Sequence, residues 1–213
     1  MKKSSVLFAA VTLSLALGAC SNGGSSANQT SLSSRASSKT ADSHYQKSGQ
    51  ITKLENYTND PTLGKITLKA INLKPKTYSF SGVEYKFTKE KIFYVQTKNS
   101  DQRENANALG DDLPDNYYYL EVGYVKTNNT KQSIMSYKTN IITPDGEQIS
   151  DGNTSDTLVG RKLQSGAHTS GVTAVAVKKA DIDKLSQFKF VTGLTDLGDT
   201  GNNIDQKTLD IGK

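Results

Sequence analysis

The stretch from Tyr117 to Asn128 constrains the fold more than any other. Tyr118, Leu120, Val122 and Tyr124 fall on one face, and Tyr117, Tyr119, Glu121, Gly123 and Val125 on the other. That period of two belongs to a strand. Asn128-Asn129-Thr130-Lys131 is a turn signal, and alternation resumes from Ser133 to Thr143 with Met135, Tyr137, Thr139 and Ile141 in phase. The pattern predicts a β-hairpin. Pro144-Asp145-Gly146 supplies the next tight turn, because Pro presets φ and Gly tolerates a positive one.

The rest of the chain from Ile51 reads the same way. Ile66, Leu68 and Ala70 alternate, then the pattern slips at Ile71 and Leu73, as a bulge or a strand end would make it slip. Lys74-Pro75-Lys76 ends that strand. Val83, Tyr85 and Phe87 alternate, and Ile92–Val95 is a short run rich in β formers. Thr97–Asn116 is a long polar loop, and Ser150–Thr157 a second. Val172–Val177 is small or apolar on both faces, which predicts cover on both sides. Asp181 is a plausible cap for one helical turn to Leu185, Phe188 and Phe190 mark another strand, and Leu209 and Ile211 a last edge strand. No segment holds a helical period over three turns. Seven to nine short strands at this spacing predict an all-β fold, an immunoglobulin-like antiparallel β-sandwich. The chain has no Trp and one Cys, so the antibody-domain signature is absent.

The N-terminal fifty residues are different. Lys2 and Lys3 precede an apolar run from about Val6 to Leu17, too short for the ~20 residues of a spanning helix. Leu17-Gly18-Ala19-Cys20 then resembles the lipobox of bacterial lipoproteins. The resemblance implies cleavage before Cys20 and lipidation of its thiol, which would anchor the protein to the membrane. Residues 1–19 are then a lipoprotein signal peptide. Residues 20–50 are a lipid-anchored linker in which about a third of the side chains are serine. Such a segment cannot bury enough surface to offset its ordering entropy. As a flexible coil of ~30 residues it spans roughly 30 Å on average and about 100 Å fully stretched. His44 and Tyr45 near its end read as incidental. The folded head is expected over residues 51–213. An acylated Cys20 leaves no thiol for a disulfide, so an exported head must hold by packing alone.

From about Tyr117 to Gly193 the chain also resembles the telokin-like, immunoglobulin-fold modules common on lipoproteins of Gram-positive bacteria. The matching elements are Tyr119-Leu120-Glu121-Val122 with Asn128-Asn129-Thr130, then Thr143-Pro144-Asp145-Gly146-Glu147. Leu163-Gln164-Ser165-Gly166, the Val172–Val177 strand, and Ala180-Asp181 leading to Phe188-Lys189-Phe190 complete them. The resemblance implies a fold and a location and transfers no site.

Chemistry is sparse. Nucleophilic catalysis needs a base held beside a nucleophile. The two histidines are His44 in the linker and His168 in a loop; Ser165, Thr169 and Ser170 near His168 do not make a triad by sequence proximity. No catalytic residue is assigned and the chain is not expected to be an enzyme. Histidines so placed do not make a zinc site. Asp151, Asn153 and Ser155 have the first spacings of a calcium loop, but Asp156 stands where Gly belongs and Lys162 where a carboxylate does. Asp111, Asp112 and Asp115, or Asp196 and Asp199, read better as solvated loop acids. No metal and no cofactor is expected. Loss of Lys2 and Lys3 would take the formal charge from +5 to +3, with lysines scattered and no basic face for nucleic acid.

Ten tyrosines are present, three of them consecutive. If Tyr118 faces the core, Tyr117 and Tyr119 face outward or toward an edge, as a possible partner-binding pair. Ordinary strand filling is the favoured explanation of these rings. The expected role is non-catalytic binding at the cell envelope, with a wall polymer, an envelope protein or a host protein as partner. A small-ligand-binding accessory of a transport system is the alternative, and a hydrolase or metal-dependent enzyme the weakest reading.

Overall fold

The turn-punctuated alternation closes into two antiparallel sheets in a computed structural model that describes residues 42–46, 51–150, 153–196 and 203–212. Cys20, Asp151, Asp199 and most of the linker lie outside the described residues. The strands are β1 (Tyr57–Asp60), β2 (Gly64–Asn72), β3 (Lys76–Phe80), β4 (Val83–Gln96), β5 (Asn116–Asn128) and β6 (Ile134–Ile142). They continue as β7 (Gln148–Ile149), β8 (Thr154–Asp156), β9 (Lys162–Leu163), β10 (His168–Val177), β11 (Lys189–Asp196) and β12 (Asn203–Asp210). The larger sheet runs β1-β2-β4-β5-β10-β8, with β3 continuing the line of β2 along β4 past Pro75. The smaller runs β12-β11-β6, and β7 and β9 share the far edge of β6. The fold is the expected all-β antiparallel sandwich, but the hairpin expected after Tyr117 does not form: β5 pairs with β4 and β10 in the larger sheet, and the Asn128–Lys131 turn crosses to β6, which pairs with β11 in the smaller. Three strands beyond the expected number are β7, β8 and β9, two or three residues each.

Two bulges explain the slips in the hydrophobic pattern. The β2–β4 register shifts between Leu68 and Ala70, and the β4–β5 register between Phe87 and Lys89. An extra residue turns every later side chain to the opposite face. Leu68 and Ile71 therefore pack on one side of the larger sheet while Ala70 packs on the other. A third shift, between Gly193 and Leu194 opposite β6, breaks the expected phase of that strand. Ile134 and Ser136 are buried before it and Thr139 and Ile141 after it, whereas Met135 and Tyr137 are only half-buried.

The main core lies between the sheets. Tyr85, Phe87, Tyr124 and Phe190 form a cluster of rings with centroids 5.2–6.4 Å apart. Val83, Ile92, Leu120, Ile134, Ile141 and Leu194 pack around them without solvent exposure. On one flank β3 approaches β12: the Tyr78 hydroxyl donates to the Asp210 carbonyl at 2.5 Å, and Ser81 Oγ to the Asp205 carboxylate at 2.9 Å. On the other, residues 157–161 cross from β8 in the larger sheet to β9 in the smaller. This strap is held by a Val159–Ser136 bridge and by Gly160 N–H donating to the Ser136 carbonyl at 2.8 Å.

A second apolar layer covers the other face of the larger sheet. The Thr97–Asn116 segment, expected as an exposed loop, contains helix α1 (Ser100–Ala106). Asn99 caps it by accepting from Gln102 N–H at 3.0 Å, and Gln102 ties it back to the Lys98 N–H and the Pro61 carbonyl. Ala106 and Leu109 are buried against Leu68, Phe93 and Val95, with Leu113 alongside. This is the cover on both sides that the Val172–Val177 strand predicts: Val175 packs between the sheets and Ala174 against this second layer.

The folded unit also starts earlier than Ile51. Tyr57 N–H donates to the His44 carbonyl at 2.9 Å and Gln46 N–H to the Tyr57 carbonyl at 2.8 Å. The Tyr45 and Tyr57 rings lie 5.6 Å apart. The expected helical turn at Asp181 is a longer 3-10 segment, Lys179–Gln187, whose Asp181 carboxylate accepts from Lys178 N–H at 3.1 Å.

Candidate functional site

The alternation of β5 splits the consecutive tyrosines as expected, but the face that Tyr117 and Tyr119 occupy is not open. Tyr117 is 4% and Tyr119 7% exposed, because Ala106, Leu109 and Leu113 fold over them. Tyr119 stacks on Phe93 at 5.1 Å. Burial pushes the Tyr117 hydroxyl up to about 12, with the Asp60 charge adding to it, and holds Tyr119 well above its ordinary value. These rings fill a core, and the outward pair read from the sequence is corrected on that point. A 20-residue polar segment gave no periodic sign that it would lie down on the sheet. Tyr118, on the opposite face, is half-buried, and its ring lies 4.9 Å from that of the half-buried Tyr94.

Charge enters the main core at the end where the strap crosses. Lys126 is in phase with Leu120, Val122 and Tyr124, so its side chain points between the sheets and is 2% exposed. Its ammonium donates to Ser136 Oγ at 2.6 Å and lies 5.5 Å from the Tyr85 ring centroid. Burial lowers its pKa to about 8, against a weaker upward pull from the Asp156 carboxylate. Asp156 is otherwise engaged. It accepts from Tyr124 Oη at 3.0 Å, from Thr173 Oγ1 at 2.6 Å and from Leu158 N–H at 2.7 Å. Asp156 makes no ion pair with Lys126 among those found in the described residues. Gly171 makes room for this arrangement, since a Cβ there would lie 2.5 Å from the Tyr124 ring and 2.7 Å from Leu158. Further in, the Tyr85 and Thr192 hydroxyls are 2.8 Å apart, and burial pushes the Tyr85 phenol up to about 12.

Lys126 lines a partly enclosed cleft of about 260 Å³ with Leu158, Arg161, Lys162, Leu163 and Thr169. Thr169 sits directly opposite Lys126 across the β5–β10 ladder. Leu158 and Arg161 come from the strap, Lys162 and Leu163 from β9. Three cations from three segments thus converge on one opening, over a floor made by two buried leucines. Arg161 and Lys162 are exposed. The sequence pattern does not single out Arg161, Lys162 or Thr169. The available signal was Lys126 itself, a lysine in phase with three core positions of the clearest strand.

No three His, Cys, Asp or Glu gather into a possible metal site among the described residues, and no helix there is long and apolar enough to cross a membrane. His168 begins β10 opposite Thr127 and is exposed.

No family model matches the chain, and no curated protein does. Among solved structures it is similar to a functionally unknown protein from Listeria monocytogenes EGD-e, at 12% identity and a TM-score of 0.47, covering 68% of this chain and 87% of that one. It is also similar to the yjhA protein from Bacillus subtilis, at 13% identity and a TM-score of 0.42, covering 63% and 95%.

Proposed function

We propose that this chain is a surface lipoprotein, anchored to the outer side of the cell membrane through a lipid on Cys20, whose β-sandwich is a non-catalytic binding module at the cell envelope. The anchor rests on Leu17-Gly18-Ala19-Cys20 after a basic start and a short apolar run. The telokin-like resemblance of Tyr117–Gly193 supports the same location. The binding role is carried by one observation: a buried lysine lines an open cleft that also gathers Arg161 and Lys162. A cation in an otherwise apolar core is costly unless something compensates it. Partners in this reading are the membrane through Cys20, and a wall polymer or an envelope or host protein through the head. The small size of the cleft favours the second reading, a small-ligand-binding accessory of a transport system, over a broad protein interface.

The anchor is tested by growing cells with a labelled fatty acid. The wild-type chain is expected to carry label and sediment with membranes. Cys20→Ala is expected to lose the label and remain an uncleaved precursor. Label on the Cys20→Ala chain would overturn the reading.

A further inference from the structure

We infer that the cleft between β5, the strap and β9 is a binding site for a phosphate ester of small-sugar or polyol size, with Lys126 as its buried anchor and Arg161 and Lys162 at its rim. This deepens the binding-module reading and rests on it.

An ammonium has three N–H groups, and among the described residues Lys126 gives one of them, to Ser136 Oγ at 2.6 Å. The neighbouring carboxylate, Asp156, is held by Tyr124, Thr173 and a backbone N–H on the other side of the network. A buried lysine that lines a cleft, and whose ammonium has donors beyond its one hydrogen bond, is suited to receive an anion there. Arg161 and Lys162 make no ion pair with any described residue among those found, although they sit side by side at the same opening. Three positive charges favour a dianionic group over a single carboxylate. Arg161 offers the planar fork that matches two oxygens, and the lysines are point charges. Thr169 adds a hydroxyl next to Lys126, while Leu158 and Leu163 supply apolar surface for the carbon skeleton. At about 260 Å³ the cleft is smaller than sites for drug-sized ligands, which span roughly 300–1,000 Å³. It suits a single phosphorylated unit, free or at the end of a polymer.

The test uses the full chain purified in mild detergent and titrated calorimetrically with glycerol 3-phosphate, with glycerol and acetate as controls. Saturable one-to-one binding of glycerol 3-phosphate at moderate salt, with at least tenfold weaker binding of acetate and none of glycerol, is the expected result. Lys126→Met is expected to weaken binding at least tenfold. Should that variant unfold, Arg161→Gln, at an exposed position, is expected to weaken binding three- to tenfold with an unchanged circular dichroism spectrum. A phosphodiester-linked polyol polymer of defined length is the second arm: one site per chain end indicates end recognition, and binding only of the free monoester indicates a soluble ligand. No saturable binding of either probe, or equal binding by the wild-type chain and both variants, would overturn the inference. Cys20-dependent labelling without phosphate binding would sink this site and leave the anchor standing; binding without labelling would do the reverse.

Discussion

Among the described residues two lysines are buried, and they sit in opposite kinds of place. Lys91 belongs to the layer beneath α1, on the outer face of the larger sheet. Lys126 belongs to the inter-sheet core beside the strap. Both are 2% exposed, and burial lowers the pKa of each. Lys91 donates to the Ile51 carbonyl at 2.7 Å, next to a Lys89–Glu121 ion pair of 2.7 Å, so it latches the start of the head onto the sheet. Lys126 has a lone hydroxyl partner and lines a cleft with two more cations. Burial of a charge does not by itself mark a site. Each ammonium gives one hydrogen bond among the described residues, and what separates the two is that a cleft with further cations lies beside Lys126.

The largest effect that separates the two regions is in packing. Phe87→Ala, within the ring cluster between the sheets, is expected to cost about 3–5 kcal/mol in denaturant unfolding. Leu109→Ala, in the thinner layer under α1, is expected to cost about 2–3 kcal/mol and to leave the inter-sheet core folded. Equal losses would mean that the two layers are one cooperative core.

Glu90 gives the next effect. It has no solvent exposure, and Asn72 donates to one carboxylate oxygen at 2.6 Å while the other has no hydrogen-bond partner. Burial raises its pKa to about 7, against the downward pulls of Asn72 and Lys76. The fold therefore favours the protonated acid. That stability is fully present below about pH 4.5 and is lost as pH rises through 7, a change of roughly 3 kcal/mol. Glu90→Gln is expected to raise the unfolding midpoint at pH 8 and to change little at pH 4. A variant equally stable to wild type at both values would contradict this account.

The smallest effects sharpen the lysine comparison. Lys91→Met leaves the Ile51 carbonyl without its donor and is expected to cost about 1–2 kcal/mol, with faster proteolysis ahead of β1. Lys126→Met keeps the volume and removes a charge that burial disfavours, so its stability is expected to change by less than about 1 kcal/mol. The readout that moves is anion binding. A reversal, with Lys91→Met altering binding and Lys126→Met unfolding the chain, would exchange the two roles.

The strands were legible because they alternate. Tyr117–Asn128 and the double-sided Val172–Val177 strand lie where period-two reading puts them, but the strand after the Asn128–Lys131 turn does not fold back as a hairpin, because that turn carries the chain from the larger sheet to the smaller. The failures have physical causes. Bulges at Lys69, at Thr88 and opposite Gly193 invert the phase without a compositional sign. The segment from Thr97 to Asn116 is polar because its outer side is wet, and three residues, Ala106, Leu109 and Leu113, suffice to cover Tyr117 and Tyr119. Sequence alone does not show that so few apolar positions will dock. The cleft was hidden for another reason. Lys126 comes from the core face of one sheet, Arg161 from the strap and Lys162 from β9 of the other sheet, and these cations converge only once the sandwich closes.

The most direct measurement of the central claim is the NMR response of the lysine side chains, labelled at Cε and Nζ, to glycerol 3-phosphate. The account predicts that the Lys126 resonances shift saturably and that those of Lys91 do not move. Movement of both, or of neither, would contradict it.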